Sequence, residues 1–184
     1  FTTAHDQDVI EFFDFSTPLG KETFWHSSAH VLAQAILRLY PEAKPTIGPA
    51  IEQGFYYDFF NLSISEHDFK KIEEMVQEVV NENFKPEKIT FKNKKEALEA
   101  FKDNPFKCEL ISNLAEDSAI TAYRQGEFFD LCRGPHLFNI GKVRALKLTK
   151  VSGAYWKGDA NNPVLTRVYG ISFPDKKQLK AYLD

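Results

Sequence analysis

The chain has 184 residues, 43% of them hydrophobic, and a formal net charge of -3 at neutral pH. That length suffices for one good core with a small appendage, and the slightly acidic balance excludes a strongly basic nucleic-acid clamp as a description of the whole. Two cysteines, Cys108 and Cys132, exclude a disulfide framework, and with no secretory leader or long apolar span in the sequence the expectation is a cytoplasmic protein without a membrane partner.

Taken in order, residues 1–19 form no clear unit. Val9-Ile10-Glu11-Phe12-Phe13-Asp14-Phe15 reads as a strand, broken by Ser16-Thr17-Pro18, and its apolar side has no partner nearby. This segment is expected to be the tail of a preceding domain or a linker, with residues 20–184 forming the domain proper. A helix follows over residues 23–40 and stops before Pro41, because the residue ahead of a proline disfavours helical geometry. At about 100° per residue, His26 and His30 share a stripe with Ala33 and Leu37. Leu32, Ala35, Ile36 and Leu39 form an apolar arc, and Ser27, Gln34 and Arg38 a polar one. The imidazoles thus stand at the edge of the buried face, where a cleft wall belongs. Two histidines four apart are by themselves more often an ordinary half-buried pair, so partners must come from elsewhere.

Thr46-Ile47-Gly48-Pro49 is a turn before an aromatic-rich strand over 51–60, with Gly54 a bulge or close-approach point. Ser65 and Asp68 make a weak capping box for a helix carrying Phe69, Ile72, Val76, Val79 and Val80 at helical spacing. Residues 86–91 are a short strand, Asn93 and Glu96 cap a helix through Phe101, and Asn104-Pro105 opens another that carries Lys107. Residues 120–124 and 127–132, divided by Gln125-Gly126, read as a hairpin. Strands over 145–151 and 166–173 flank a loop with Gly153, Tyr155-Trp156, Gly158 and Asn161-Asn162-Pro163. Pro174 opens a final surface helix to Leu183. Helices and hairpin-type strands in mixed order predict an α+β fold, an antiparallel sheet packed with helices. Residues 133–170 hold seven basic residues against Asp159 alone, which is either a solvated strand face or a track for phosphates.

At the end of the hairpin stands Asp130-Leu131-Cys132-Arg133-Gly134-Pro135-His136. Gly134 and Pro135 exclude a helix, so Cys132 and His136 project from a bent loop. With His26 and His30 they supply the donors of a tetrahedral zinc site. The pattern differs from the zinc-protease signature, because Ser27 stands where that signature has a glutamate base. Without metal the same groups can hold a water, relay protons and donate to a developing oxyanion. Singly, Cys132 is more often a small buried hydrophobe and His136 a loop cap; a helix pair joined to a loop pair points to a site.

Four blocks carry a resemblance: His26-Ser27-Ser28-Ala29-His30; Ile47-Gly48-Pro49-Ala50-Ile51-Glu52-Gln53-Gly54-Phe55-Tyr56-Tyr57-Asp58; the Asp130 to His136 loop; and Gly153-Ala154-Tyr155-Trp156-Lys157-Gly158-Asp159-Ala160-Asn161-Asn162. In that order they resemble the editing domain of bacterial-type threonyl-tRNA synthetase. The histidine and cysteine pairs alone would be shared with alanyl-tRNA synthetase editing domains; the second pair of blocks points to the threonyl branch. The resemblance implies a preceding ubiquitin-like domain ending in residues 1–19, and hydrolysis of serine wrongly attached to threonine tRNA, an ester hydrolase activity within a threonine-tRNA ligase. It implies as partners the tRNA 3′ end carrying serine and the catalytic and anticodon-binding domains of a longer, homodimeric protein. It maps the site onto His26, His30, Lys107, Asp130, Cys132 and His136, with Tyr57 as a lining residue. His26 and Lys107 would serve the leaving ribose and the water, and Asp130 the substrate's ammonium. His30, Cys132 and His136 would hold water and shape the pocket. Outside the resemblance, Lys107 reads as a solvated helix lysine and Asp130 as a strand-end carboxylate. Zinc at His26, His30, Cys132 and His136 is the alanyl pattern, and no cofactor is the expectation here. The competing readings are a nonhydrolytic tRNA-binding module, with Tyr155-Trp156 as stacking surfaces, and a zinc-stabilised structural domain.

Overall fold

A computed structural model describes residues 15–184; the strand expected over 9–15, apart from Phe15, and most of the expected preceding unit lie outside them. The longest element is α1 (Pro18–Leu39), with Pro18 in its first turn and the Thr17 hydroxyl accepting from the Gly20 N–H at 3.0 Å. The helix thus begins before the expected residue 23, because a threonine followed by proline is itself a good start signal.

A five-stranded antiparallel sheet packs against α1. Its strands are β1 (Lys44–Pro45), β2 (Ala50–Ile51), β3 (Gly54–Phe60), β7 (Ala145–Tyr155) and β8 (Val164–Phe173), ordered β1-β3-β8-β7 with β2 also on β3. Gly54 faces Ile51 across a tight hairpin, so it opens β3 rather than interrupting it as a bulge, and it is a close-approach point, since an added Cβ would run into the Gly170 carbonyl oxygen. The β7–β8 ladder runs from Ala145↔Phe173 to Tyr155↔Val164, which makes strand of what the sequence presented as loop from Gly153 to Tyr155. Long-range pairing with β8 overrides the weak strand preference of Ser152-Gly153-Ala154.

A second, three-stranded sheet is built from β4 (Glu87–Phe91), β5 (Ile120–Gln125) and β6 (Phe128–Leu131), in that order. Three more helices sit between the strands: α2 (Phe69–Glu82), α3 (Lys94–Ala100) and α4 (Pro105–Ser112). The capping signals hold in each, with Ser65 and Asp68 forming the box ahead of α2, Asn93 accepting from the Glu96 N–H, and Asn104 accepting from the N–H groups of Phe106 and Lys107. A surface helix, α5 (Lys176–Leu183), ends the chain with no buried residue.

The main core lies between α1, α2 and the five-stranded sheet, where Leu32, Ile36, Phe55, Phe59, Ile72 and Ile171 are buried. Each such side chain contributes roughly 1.5–3 kcal/mol by leaving water. A smaller core under the three-stranded sheet joins Phe91, Ala97, Phe101, Ile111, Ile120 and Ala122. Helix α1 touches both sheets, and this changes its character. Ser27 and Gln34, expected on a solvent-facing arc, are buried. Gln34 accepts from Gln125 and donates to Glu127, and Arg38 bridges Glu127 and Glu82. From Thr23 to Ile36 only His26 retains appreciable exposure. The rotation of the helix is set on the opposite side, where Trp25 Nε1 donates to the Ser172 carbonyl at 2.9 Å and Ser28 shares a 2.7 Å hydrogen bond with the Ser172 hydroxyl.

Much of the positive stretch is neutralised from elsewhere in the chain. Arg167 makes a two-pronged pair with Asp58 at 2.8 and 2.9 Å, Lys157 meets Glu109 at 2.5 Å, and Lys147 lies 3.6 Å from Glu73. Trp156 is 3% exposed, edge-on to Phe106, with Nε1 donating to Glu109. It is a core residue and offers no stacking face; only Tyr155 of that pair is exposed. Among the described residues no helix is long and apolar enough to cross a membrane.

Candidate active site

Five segments meet at one point. Helix α1 brings His26 and His30, β3 brings Tyr57, α4 brings Lys107, β6 brings Asp130, and the loop after β6 brings Cys132 and His136. The loop must double back sharply to do this. Gly134 takes φ +77°, and an added Cβ there would run into the Tyr123 hydroxyl; only glycine satisfies both demands. Tyr123 in turn sets its ring edge-on to His136, with centroids 4.6 Å apart.

The helix and loop pairs form one cluster. The rings of His26 and His136 stack at 4.4 Å, and His30 lies 4.3 Å from His136. Cys132 Sγ is 3.0 Å from His136 Nε2 and 3.4 Å from His26 Nε2, and it accepts from the Gly134 N–H at 3.2 Å. His26 and Cys132 are partly exposed while His30 and His136 are buried, so the first two make the mouth and the others the wall.

Below them lies a buried charged layer. Lys107 Nζ sits 2.6 Å from Asp130 Oδ1, donates to the Thr46 carbonyl at 2.5 Å and to the Tyr57 hydroxyl at 3.3 Å. Tyr57 donates to Asp130 Oδ2 at 2.5 Å, and His30 Nε2 is 3.2 Å from that same oxygen. Buried charges survive only when paired and hydrogen-bonded, and here each partner is supplied by a different element. Asn104 helps aim α4, since its side-chain oxygen caps the helix while Nδ2 donates to the Pro45 carbonyl at 2.7 Å, next to Thr46. Gly48 leaves room for the Tyr57 ring, which an added Cβ would strike.

The electrostatics follow from burial. Desolvation is the leading cause that holds His26, His30 and His136 below the ordinary imidazole range, furthest for the latter two; neighbouring imidazoles add to it at His30 and His136, and Lys107 as well at His30, whereas at His26 the nearby charges of Asp130 and Glu22 oppose it. At neutral pH all three rings are uncharged. Burial also pushes the Cys132 thiol up to about 12, so it keeps its hydrogen. Burial, then the charge of Asp130 beside it, drives the Tyr57 hydroxyl well above its usual range. The cluster is therefore a set of neutral donors and acceptors above a fixed ion pair.

All six expected site residues and Tyr57 come together. Sequence reasoning missed Ser27, whose hydroxyl meets His136 and the Leu137 N–H, and also Thr46, Asn104 and Tyr123. Ser27 lies inside the first block and Asn104 in a helix-start signal, but nothing local marks any of the four as part of the site, because each matters there through a contact made far along the chain. The donor atoms of His26, His30, Cys132 and His136 lie within 4.8 Å of one another, and a zinc tetrahedron needs its ligands ~3.5 Å apart. The donor set therefore fits zinc after a small contraction.

Comparison with known proteins places the chain. Residues 120–169 match the family described as the threonyl and alanyl tRNA synthetase second additional domain, a span that contains Asp130, Cys132 and His136 but neither helix histidine nor Lys107. Similarity to curated proteins reaches further. The chain is 60% identical to a threonine–tRNA ligase of Protochlamydia amoebophila over 96% of its length, and 56% identical to one of Chlamydia felis over 99%. It is 56% identical to one of Desulfatibacillum aliphaticivorans over 89%. The chain spans only 27%, 29% and 26% of those relatives.

Proposed function

We propose that this chain, which belongs with the threonyl-tRNA synthetase editing domains, hydrolyses the ester of serine wrongly attached to the 3′ end of threonine tRNA. The observation that carries the reading is the convergence of His26, His30, Cys132 and His136 over the Lys107–Asp130 pair. Serine differs from threonine by one methyl, and a pocket discriminates a missing methyl by only ~1–3 kcal/mol. A synthetic site cannot reject serine on that margin, so a second site that admits serine and destroys the product is the chemical remedy.

In this reaction a water attacks the ester carbonyl, the carbonyl oxygen becomes a tetrahedral oxyanion, and collapse breaks the bond to the ribose oxygen. The products are free serine and the terminal hydroxyl of the tRNA. His26, neutral and at the mouth, takes the water's proton and returns it to the leaving ribose oxygen. The Cys132 thiol and the His136 imidazole hold the water in line. Lys107 reaches three protein oxygens, so its part is a fixed positive field beneath the oxyanion rather than a contact with the ribose. Asp130 holds Lys107 and Tyr57 in place; its 3.2 Å contact with neutral His30 is the one that an incoming ammonium can replace, and there it would grip the substrate's amino group.

The four-donor cluster would hold zinc through His26, His30, Cys132 and His136, and zinc would supply a Lewis acid to polarise the carbonyl. The reaction proposed here does without it. The native partners are the serine-bearing tRNA end and the catalytic and anticodon-binding domains of a longer, homodimeric, cytoplasmic threonine–tRNA ligase.

The test supplies the purified chain with serine-charged threonine tRNA and, separately, with a seryl-adenosine ester at high concentration to bypass weak tRNA binding. Serine release above the spontaneous rate from either, with threonyl esters spared, is the expected result. Spontaneous rates on both substrates would remove the hydrolytic reading and leave a nonhydrolytic RNA-binding module.

A further inference from the structure

Ser27 is fully buried on α1, and two groups of the loop after β6 meet at its hydroxyl oxygen. The Leu137 N–H donates to Oγ at 2.8 Å, and Nδ1 of His136 lies 3.0 Å from the same atom. A backbone N–H can only donate, so that contact uses an oxygen lone pair and leaves the hydroxyl hydrogen for the imidazole. We propose that Ser27 is a positioning residue: by donating its hydroxyl hydrogen to Nδ1, it holds His136 in the tautomer protonated at Nε2 and so aims an N–H at Cys132.

The opposite polarity is worse for a definite reason. Were Nδ1 the donor, Oγ would accept twice, and no further acceptor for its hydrogen is seen among the described residues. A buried hydroxyl hydrogen left unpaired is what protein interiors avoid. The rest of the cluster agrees. Nε2 of His136 is 3.0 Å from Cys132 Sγ, and the sulfur also accepts from the Gly134 N–H, so the thiol hydrogen is directed to His26 Nε2 at 3.4 Å. With that thiol hydrogen directed at it, Nε2 of His26 is the acceptor and the single ring hydrogen of the neutral imidazole belongs on Nδ1. One direction then runs from Ser27 through His136 and Cys132 to His26, fixed by the backbone N–H groups of Leu137 at Ser27 and of Gly134 at Cys132. The consequence for the reaction rests on the hydrolytic reading above: the group proposed as base has its lone pair facing the Cys132 thiol, one of the two groups proposed to hold the water.

The assignment also separates the metal-free from the metal-bound site. A metal on Nε2 of His136 would put the ring hydrogen on Nδ1, facing Ser27. The experiment is long-range proton–nitrogen NMR on the nitrogen-labelled, chelator-treated 184-residue chain at neutral pH. His136 should be protonated at Nε2. In Ser27→Ala that preference should collapse, with kcat for serine release falling about tenfold and KM changing little, while Ser27→Thr, which keeps the hydroxyl, restores both. A wild-type His136 protonated at Nδ1, or an Ser27→Ala variant with the same tautomer, overturns the assignment. If Ser27→Ala does not fold, the wild-type spectrum decides. The expected tautomer in a chain that releases no serine would support the role of Ser27 and count against the hydrolytic reading alone.

Discussion

Lys107 on a short helix and Asp130 at the end of a hairpin strand meet at 2.6 Å with their side chains only 4% and 3% exposed. Every other group of the candidate site is arranged above or around that contact. Tyr57 and His30 share the second carboxylate oxygen, and the Thr46 carbonyl takes a further lysine hydrogen.

Breaking this pair from one side should cost far more than removing it. Lys107→Met leaves a buried carboxylate beside the Tyr57 hydroxyl, and Asp130→Asn leaves a buried ammonium, each lowering stability by ~3–5 kcal/mol. The double variant should lose much less than the sum of the two. Urea unfolding of the four proteins measures this coupling; additive losses, or single variants within about 1 kcal/mol of the parent, would show that the two side chains do not share their burial.

Cys132 is expected to act as a thiol that holds water and never as a nucleophile. Its hydrogen is retained, the thiol standing at about 12, so the thiolate is scarce at neutral pH. Cys132→Ala should lower serine release by more than about tenfold, whereas Cys132→Ser, which keeps a donor and an acceptor, should retain a measurable part of it. A seryl-thioester trapped by acid quench and seen by mass spectrometry would reverse this view.

Acid should weaken the fold as well as the activity. The folded-state values of His26, His30 and His136 lie below the ordinary 6.5, so the unfolded chain binds protons first as pH falls. Stability is therefore full above about 6.5 and is lost as the pH drops through that value toward the depressed ones. Melting temperature and deacylation rate should both be flat from neutral upward and fall toward about pH 5. An acid limb centred above neutrality would contradict the neutral cluster.

Metal content separates two chemistries that share one donor set. Protein purified without chelator should carry well under one zinc per chain, and adding chelator should leave its melting temperature unchanged. Stoichiometric zinc that disappears in Cys132→Ala would establish the tetrahedral site, and with it a His136 tautomer opposite to the one assigned above.

How far the sequence reached is clearest on α1. Its histidine spacing and its stop before Pro41 are local properties, and they gave the element, while the equally local start signal Thr17-Pro18 went unread and the helix is five residues longer at that end than expected. Its polar arc was a misreading for a physical reason. Amphipathic logic assumes one buried face, and α1 is covered by a five-stranded sheet on one side and by the β5–β6 hairpin on the other, so Ser27 and Gln34 are enclosed with partners. Trp156 failed similarly, since an aromatic in a glycine-rich turn looks exposed until Phe106 and Glu109 close over it. Lys107 was named only through the resemblance; a lysine on a short helix has no local mark of burial.

Residue types and spacings by themselves determined the caps of α2, α3 and α4, the β5–β6 hairpin, the antiparallel α+β class and the two metal-type pairs, because these depend on neighbours within a few positions. Tertiary structure alone decided that the pairs share one cluster, that Asp130 faces a lysine from another helix, and that a buried serine sits behind His136. Those facts depend on desolvation and on contacts between distant segments, and neither quantity exists until the chain has closed on itself.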